Sequence, residues 1–341
     1  MNDHDVVRAL RRRVGSEFDC RFQGDVCVSL SLHDPDHPLA GVIRNHTATE
    51  KREILRMIAK LQGLEHLNLR KNRLGDLPDD LMGLWHLRHL NLGSCALRVV
   101  PQFVLHNRSL ENLFLGSNPI EALDARLFDL ERMRSLHLHK LLLRALPEGL
   151  SRLRSLEVMH LYLSGLKEMP PELFECRDLS TVSFGFSPMR VLPDAISKLR
   201  KLKYFSLILT KVASLPDSFC ELGELVATRL YKNRIQSLPE KIGDLRNLEQ
   251  MTLYQNNLRQ LPASFAQLSR LRKLNLAKNA FQQMPEAVQK LPALEWFAFF
   301  DNPGTQDARK PPRVETLLER PFGASLDAGT VIPADTASSP D

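Results

Sequence analysis

The chain has 341 residues, of which 43% are hydrophobic and 25% are charged, as in ordinary folded domains. No apolar run approaches the roughly 18 residues of a membrane-spanning helix, so the sequence predicts no membrane span. The net charge of +6 is mild and dispersed, which disfavours nucleic acid and favours an acidic protein surface as partner.

Residues 1–60 predict a cap at the N-terminal end of the domain. Apolar residues between Val6 and Val14 lie at helical spacing among arginines, which indicates a helix and not the apolar core of an export signal. Residues 26–32 alternate apolar and polar, which predicts a strand, and residues 33–38 predict a turn. Thr47 with Glu50 fits a capping box at the start of an amphipathic helix.

From Leu61 onwards a 23-residue period repeats without insertion or deletion. Its template is LxxLxxLxLxxNxLxxLPxxLxx, and further copies begin at positions 84, 107, 130, 153, 176, 199, 222, 245 and 268, with a truncated copy at Leu291. One copy is too small to bury its own apolar face, so the copies must stack into a solenoid.

Within a copy, two leucines such as Leu67 and Leu69 alternate with polar residues, which predicts a short half-buried strand. The asparagine at the strand end, Asn72 in the first copy, can bond backbone groups of neighbouring copies, so stacked asparagines form a ladder. The Leu-Pro pair at 77–78 predicts a short helical or 3₁₀ segment. In the copy that lacks this proline, Asp124 can cap the turn instead.

These residues resemble the leucine-rich repeat family, specifically the 23-residue intracellular type of Scribble/Erbin-like, Ras-group and Roco-like proteins. The resemblance covers roughly residues 61–303. It implies an α/β repeat solenoid, a curved horseshoe with a parallel concave β-sheet and short helical or 3₁₀ convex segments. It also implies partner binding on the concave face. The bacterial effector ligases have a shorter repeat with a doubled LPxLP motif, which this chain lacks.

The residue that opens each strand alternates in charge from copy to copy, as in Glu65, Arg88, Glu111 and Arg134. Neighbouring parallel strands lie about 4.8 Å apart, so opposite charges of adjacent copies lie beside each other. A shift in register by one copy would place like charges beside each other. We interpret this alternation as a structural device that sets the register, and not as a binding site.

The two ends of the chain and its thiols complete the domain prediction. Residues 304–323, with apolar residues at 314, 317 and 318, predict a C-terminal cap, and residues 324–341 have a disordered composition. The five cysteines occupy core, turn and cap positions without the dense terminal clusters of exported repeat proteins. Free thiols in a reducing, cytoplasmic compartment are therefore expected.

The template breaks in copies four to seven. The asparagine is replaced by Leu141, Ser164, Ser187 and Thr210. The residue before it becomes Leu163, Phe186 or Leu209, where other copies have Lys or Gln, and Ile208 lies beside Leu209. These apolar side chains either fold inward around a distorted turn or form an exposed patch that docks a partner.

Polar and aromatic residues on the concave face extend this candidate site. Three histidines of adjacent strands could in principle supply zinc ligands, but no carboxylate accompanies them, so a polar contact surface is the preferred interpretation and metal the weak alternative. Tyr and Arg are typical of binding hot spots. The predicted partner-binding residues are His137, His139, His160, Tyr162, Leu163, Phe186, Ile208, Leu209, Arg229, Tyr231, Lys232 and Tyr254.

No phosphate loop, dinucleotide fingerprint, zinc-protease motif or nucleophile elbow occurs in the sequence, so no enzymatic activity and no cofactor are predicted. The sequence predicts a monomer that binds another protein as a signalling or regulatory adaptor. The alternatives are a microbial effector delivered into a host cell, an immunity protein that binds a toxin, or a nucleic-acid or ligand sensor. Gene neighbourhood would separate the adaptor role from the effector and immunity roles. Salt-sensitive binding of nucleic acid would indicate the sensor.

Overall fold

Short strands recur at the repeat period because pairs such as Leu67 and Leu69 turn inward, where they are at most 2% exposed. The computed structural model describes residues 2–15, 18–33, 41–75 and 79–304. The predicted turn beyond His33, and the predicted C-terminal cap and tail beyond Gly304, lie outside these residues. The chain divides into two compact units, Met1–Asp178 and Leu179–Asp341.

The first unit holds three helices and seven strands among its described residues. The helices are α1 (Asp3–Val14), α2 (Ala48–Ile58) and α3 (Gln102–His106). The strands are β1 (Asp19–Gln23), β2 (Val26–Ser31), β3 (His66–Asn68), β4 (His89–Asn91), β5 (Asn112–Phe114), β6 (Ser135–His137) and β7 (Val158–His160). Four 3₁₀ turns lie at Asp79–Gly83, Ala125–Asp129, Leu150–Arg152 and Pro171–Glu175.

The second unit repeats the same design. Its strands are β8 (Thr181–Gly185), β9 (Tyr204–Ile208), β10 (Ala227–Arg229), β11 (Gln250–Thr252), β12 (Lys273–Asn275) and β13 (Trp296–Ala298). Its 3₁₀ turns are Asp194–Lys198, Asp217–Glu221, Ile242–Asp244 and Ala263–Gln267, and α4 is Glu286–Gln289. Within each unit consecutive strands pair in parallel at equivalent repeat positions, except the antiparallel pair β1–β2.

The predicted N-terminal elements have the expected local geometry. Asn2 caps α1 by accepting from the Asp5 N–H at 2.9 Å. Thr47 and Glu50 form the capping box of α2, with the Thr47 N–H donating to the Glu50 carboxylate at 2.8 Å. Strand β2 pairs in parallel with β3, so the first repeat continues a sheet that begins before it.

The predicted asparagine ladder is present. The Asn256 amide donates to the carbonyls of Leu230 and Leu253 at 2.8 and 3.0 Å and accepts from the Ile235 N–H at 3.1 Å. Asn118 and Asn279 bond in the same way, and Asn233 donates in the same way but accepts from the Thr210 N–H and hydroxyl. Each asparagine therefore ties its own turn to the turn of the preceding copy, which fixes the spacing of the strands.

Where the asparagine is missing, the backbone takes over. In several other copies the N–H at this position donates to the asparagine side chain of the next copy. The Leu143 N–H donates instead to the Ser164 carbonyl at 2.8 Å. The following Gly165 has φ +90°, and a Cβ there would overlap the Leu143 carbonyl, so this turn requires glycine. Leu141 itself is buried, 2% exposed.

The charge alternation forms ion pairs between neighbouring copies. Arg88 contacts Glu111 at 2.6 Å, Arg134 contacts Glu157 at 3.2 Å, and Arg272 contacts Glu295 at 2.7 Å. These side chains are largely solvent-exposed, so each pair contributes only about 0.2–1 kcal/mol to folding. Their main effect is on register.

One turn is capped from the following copy. The Glu172 carboxylate accepts from the N–H groups of Gly149 and Ser151 at 3.0–3.1 Å and from the Ser151 hydroxyl at 3.1 Å. These backbone donors lower the pKa of Glu172. The carboxylate occupies the place that an N-cap side chain fills in an ordinary helix.

Replacement of Glu172 by glutamine is expected to lower the free energy of unfolding by about 1–2 kcal/mol, because charge-assisted bonds to a partly exposed turn are lost. Urea unfolding at pH 7 measures this loss. Because the folded-state pKa is lowered, the stabilisation exists above the ordinary pKa of the carboxyl and is lost as the pH falls through the folded-state value. The exposed neighbour Glu168→Gln is the control, and an equal loss in both variants would contradict the capping role.

Candidate functional site

The surface open to a partner is the strand face, which we define as the outward side chains of the strands together with the turn residues that follow each strand. In every repeat the inward side chains fill the core, so the fold places fewer constraints on the strand face. All twelve residues predicted from the sequence lie on this face or its turns, five in the first unit and seven in the second.

The turn after each strand presents one residue in the left-handed conformation. In all eleven copies this residue has φ between 50° and 63°. The residues are Lys71, Ser94, Ser117, Lys140, Leu163, Phe186, Leu209, Lys232, Gln255, Lys278 and Asp301. None is glycine or asparagine, the types that relieve left-handed strain, although the conformation costs about 1–2 kcal/mol for other residues. The repeat fixes the backbone here, and the side chain varies freely.

The apolar residues at this turn differ in exposure. Phe186 is 42% exposed, while Leu163, Ile208 and Leu209 are half-buried. In the second unit β8 and β9 are two residues longer than the other strands of that unit, and Gly185 lies opposite Ile208. A Cβ at Gly185 would overlap the Ile208 carbonyl, so glycine allows the two strands to extend towards Phe186.

The three candidate histidines of the first unit pack together. The His137 ring lies 4.6 Å from the His160 ring and 6.4 Å from the His139 ring, and it stacks on Phe114 at 4.0 Å. His139 stacks on Tyr162 at 4.9 Å. His139 and His160 are 8% and 4% exposed, which limits the direct contact that they can offer to a partner.

Burial keeps these imidazoles neutral. Desolvation lowers the pKa of His160 to about 4 and of His139 to about 3, and it places the pKa of His137 well below 6.5. Lys140 and Arg70 add repulsion at His139. Nδ1 of His160 has no hydrogen-bond partner. The cluster is therefore a set of neutral stacked rings at physiological pH.

The metal alternative receives no geometric support. Within the described ranges, no group of three or more His, Cys, Asp or Glu side chains is arranged to hold a metal ion. Neutral histidine could still bind zinc through a lone pair. The limiting factor is that His137 and His139 stack on Phe114 and Tyr162, and that the histidine rings meet one another at tilted or edge-on angles instead of converging on one point.

The candidate residues of the second unit form a polar and aromatic surface. Arg229, Tyr231 and Tyr254 are half-buried, and Lys232 is exposed. Burial lowers the pKa of Arg229 and raises the pKa of Tyr231. Tyr254 packs against a terminal cluster of small and aromatic residues, and the Lys278 ammonium lies 5.4 Å from the Tyr254 ring centre.

Sequence reasoning missed several cations of the same surface. Lys211, Arg234, Lys273 and Lys278 lie on strand-face or turn positions of the second unit. Comparing equivalent repeat positions for charge, and not only for apolar residues, would have identified them. It also missed a groove of about 370 Å³ in the first unit, which is lined by Arg144, Pro147, Lys167, Pro170 and others on the turns of copies four and five.

The five cysteines are free thiols, and four of them are buried. Burial raises the pKa of Cys95 and Cys176 to about 12. Thiolates are the reactive form, so these side chains act as apolar packing groups. Within the described ranges, no helix is both long and apolar enough to cross a membrane.

Comparison with known proteins agrees with this geometry. Profiles of the leucine-rich repeat match residues 63–84 and 228–281. No curated protein matches the chain. A leucine-rich repeat protein of Leptospira interrogans is 24% identical, with 87% of this chain and 81% of that chain covered and a TM-score of 0.65. An internalin of Listeria monocytogenes is 18% identical, with 88% and 82% covered and a TM-score of 0.68.

A plant peptide hormone receptor in complex with RGF2 is 22% identical, with 71% of this chain and 48% of the receptor chain covered and a TM-score of 0.54. The chain thus carries leucine-rich repeats and has the leucine-rich repeat solenoid fold. At these identities the structural similarity establishes the fold alone. Leucine-rich repeat proteins are generally protein–protein interaction modules.

Proposed function

We propose that this chain is a non-enzymatic adaptor that binds a partner protein through its strand face. The observation that carries the proposal is the exposed Phe186, held by a strained left-handed turn where most other copies have Lys, Ser or Gln. At a position that is 42% exposed, a large aromatic side chain gains less for the fold than it would in the core. A contribution to partner binding would explain why an aromatic residue occupies this exposed position, because aromatic side chains anchor interfaces.

The other partner-binding residues are assigned graded roles. Leu209 and Ile208 extend the apolar contact beside Phe186 within the second unit, and Tyr231 and Lys232 follow on the next copy. In the first unit Leu163, Tyr162 and His137 are half-buried and can contact a partner directly, whereas His139 and His160 support the surface from below. The complex of the plant receptor supports the general mode, since a related fold holds a peptide partner.

The finer assignments are also proposals. The 23-residue template supports the intracellular type of leucine-rich repeat, and the free buried thiols support a reducing, cytoplasmic compartment. We assign residues 1–60 to the N-terminal cap and residues 61–303 to the repeats, and the predicted C-terminal cap and tail lie outside the described residues. The free protein is assigned as a monomer. The effector and immunity roles would use the same surface.

The double substitution Phe186→Gln and Leu209→Gln is expected to weaken partner capture at least tenfold without lowering the unfolding midpoint. Glutamine occupies the equivalent left-handed position at Gln255, so the fold accepts it. Affinity capture from a lysate of the organism that encodes the chain, followed by titration of the captured partner, measures the effect. Loss of one hydrophobic anchor of this size commonly costs at least a factor of ten.

Val191→Gln is the matched control. Val191 is 71% exposed and lies outside the strand face, in the segment between β8 and the next 3₁₀ turn. Its substitution therefore removes exposed apolar area elsewhere in the same unit. Capture that falls equally in the control and in the double variant would refute a role for the strand face. Unfolding of the double variant at lower urea concentration would show that the apolar pair serves the fold.

A further inference from the structure

Positive charge is concentrated on the strand face of the second unit. The strand-face and turn positions of its six copies carry six basic residues and one acidic residue, Asp301. The basic residues are Lys211, Arg229, Lys232, Arg234, Lys273 and Lys278, and we call this set the basic strand face. The whole chain has 46 basic and 40 acidic residues, so this imbalance is local and not a reflection of composition.

Among the described residues of this unit, the carboxylates other than Asp301 lie off these positions, although Glu249 and Glu295 directly precede β11 and β13. Asp194, Asp217 and Asp244 lie in the 3₁₀ turns, and Glu286 opens α4. Three ion pairs of this unit, Lys203 with Glu224, Arg272 with Glu295 and Lys290 with Glu286, lie off the basic strand face. With six cations against one carboxylate, the face keeps an excess of positive charge that a partner can neutralise.

Apolar and aromatic side chains are interleaved with these cations. Ile208 and Leu209 precede Tyr231 and Lys232 by one copy at equivalent positions, and Tyr254 follows by another copy under the Lys278 ammonium. Arg229 and Lys273 line a small cavity of about 20 Å³ together with Thr252 and Trp296. A ligand for this face must offer carboxylates and apolar groups at similar spacing.

We propose that the basic strand face of the second unit binds an extended acidic polypeptide segment of the partner, one that also carries apolar side chains. The inference rests on the proposed function and names the partner's chemistry. Six parallel strands span about 24 Å at about 4.8 Å per step, which an extended peptide crosses with about eight residues. Lys232 and Lys278, two copies and hence about 10 Å apart, would contact carboxylates about three residues apart.

A displayed library of random peptides about twelve residues long tests the inference. Selection on the intact chain is expected to enrich peptides with an excess of Asp and Glu and with apolar residues between them. The double variant Lys232→Asp and Lys278→Asp, which copies Asp301 at the same left-handed position, is expected to bind the selected peptides at least tenfold more weakly at low salt. The difference in affinity between the intact chain and the double variant should decrease at about 0.5 M salt, because the screening length shortens to a few ångströms.

Lys241→Asp with Arg246→Asp is the matched control, because both residues are exposed and lie beside a 3₁₀ turn with the same change in charge. Selected peptides without acidic excess, or equal weakening in the control, would overturn the inference and leave the proposed function standing. A short single-stranded DNA and its duplex are measured in parallel, and tighter binding of either would assign the face to nucleic acid. If neither library nor lysate yields a binder sensitive to the strand-face substitutions, the proposed function itself fails.

Discussion

Replacement of Asn256 by leucine is expected to lower the free energy of unfolding by about 3–4 kcal/mol. The substitution removes the donor that bonds the Leu230 and Leu253 carbonyls and the acceptor for the Ile235 N–H. All of these groups are buried, and a buried unmet polar group costs about 1–3 kcal/mol. Urea unfolding of the variant and the wild type measures the difference.

Asn257→Leu is the adjacent control. Asn257 is exposed, and its backbone N–H, which bonds the Ile235 carbonyl at 2.9 Å, is unaffected by the substitution. A loss within about 0.5 kcal/mol is expected there, as for ordinary surface positions. A loss at Asn256 that is no larger than the loss at Asn257 would show that the ladder does not determine stability, and that leucine is accepted as readily as at Leu141.

Acid is expected to destabilise the first unit through its histidine cluster. The unfolded state takes up a proton near pH 6.5, whereas the pKa of the folded His160 is lowered to about 4 by burial. Below pH 6.5 the unfolded state therefore binds more protons, so stability falls as the pH falls. His160 alone should lower the free energy of unfolding by about 2–3 kcal/mol between pH 7 and pH 4.

The charged groups that face the cluster cannot offset this loss. Its neighbours are His137 and His139 together with the cations Lys140 and Arg70, which repel a protonated ring. The rings of Phe114 and Tyr162 stack on His137 and His139, and the Ser135 hydroxyl, which carries no charge, lies 2.8 Å from Nε2 of His137. Protonation therefore places positive charge among positive charges in a poorly solvated position.

The variant His137→Asn with His160→Asn tests this prediction, because asparagine occupies the equivalent strand position at Asn91, where it accepts from the Gly93 N–H at 3.0 Å. Between pH 7 and pH 4 the variant should lose at least about 2–3 kcal/mol less than the wild type, because His137 adds to the contribution of His160. The exposed His86→Asn should leave the pH dependence unchanged. Equal acid sensitivity of the wild type and the cluster variant, measured by urea unfolding at both pH values, would contradict the prediction.

Much of the fold could be predicted because its determinants are local and repeated. The spacing of Leu67, Leu69 and Asn72 recurs often enough to define strand, turn and ladder without tertiary information. The capping box at Thr47, the cap at Asp124 and the interstrand pairs of Arg88 and Arg272 depend on neighbours at fixed sequence distance, and the structure confirms each of them.

The features that could not be predicted depend on compensations within particular turns. The repeat pattern did not indicate that the carbonyl of Ser164, which replaces an asparagine, would accept from the Leu143 N–H. The pattern also gave no sign that Glu172 would reach back to the preceding turn. Both contacts join residues 21 to 23 positions apart, and neither contact follows from the template.

The positions of the candidate-site residues on the fold were predicted more accurately than the solvent exposure of their side chains. Alternation alone assigned His139 and His160 to the open face, but stacking against neighbouring rings buries them. A strand-face position is thus necessary for contact with a partner but not sufficient, since large side chains on adjacent strands about 4.8 Å apart cover one another. At Phe186 the adjacent Gly185 has no side chain of its own, and the ring stays exposed.

The left-handed turn has a consequence for how this protein can change its partner. Because the repeat imposes nearly the same φ on eleven residues of very different chemistry, an exchange such as Lys for Leu moves no backbone and leaves the conformational strain as it was. The partner specificity can therefore change by substitution in one copy at a time, while the free energy of unfolding stays nearly the same. Directed libraries confined to these eleven positions would explore new specificities while sparing stability.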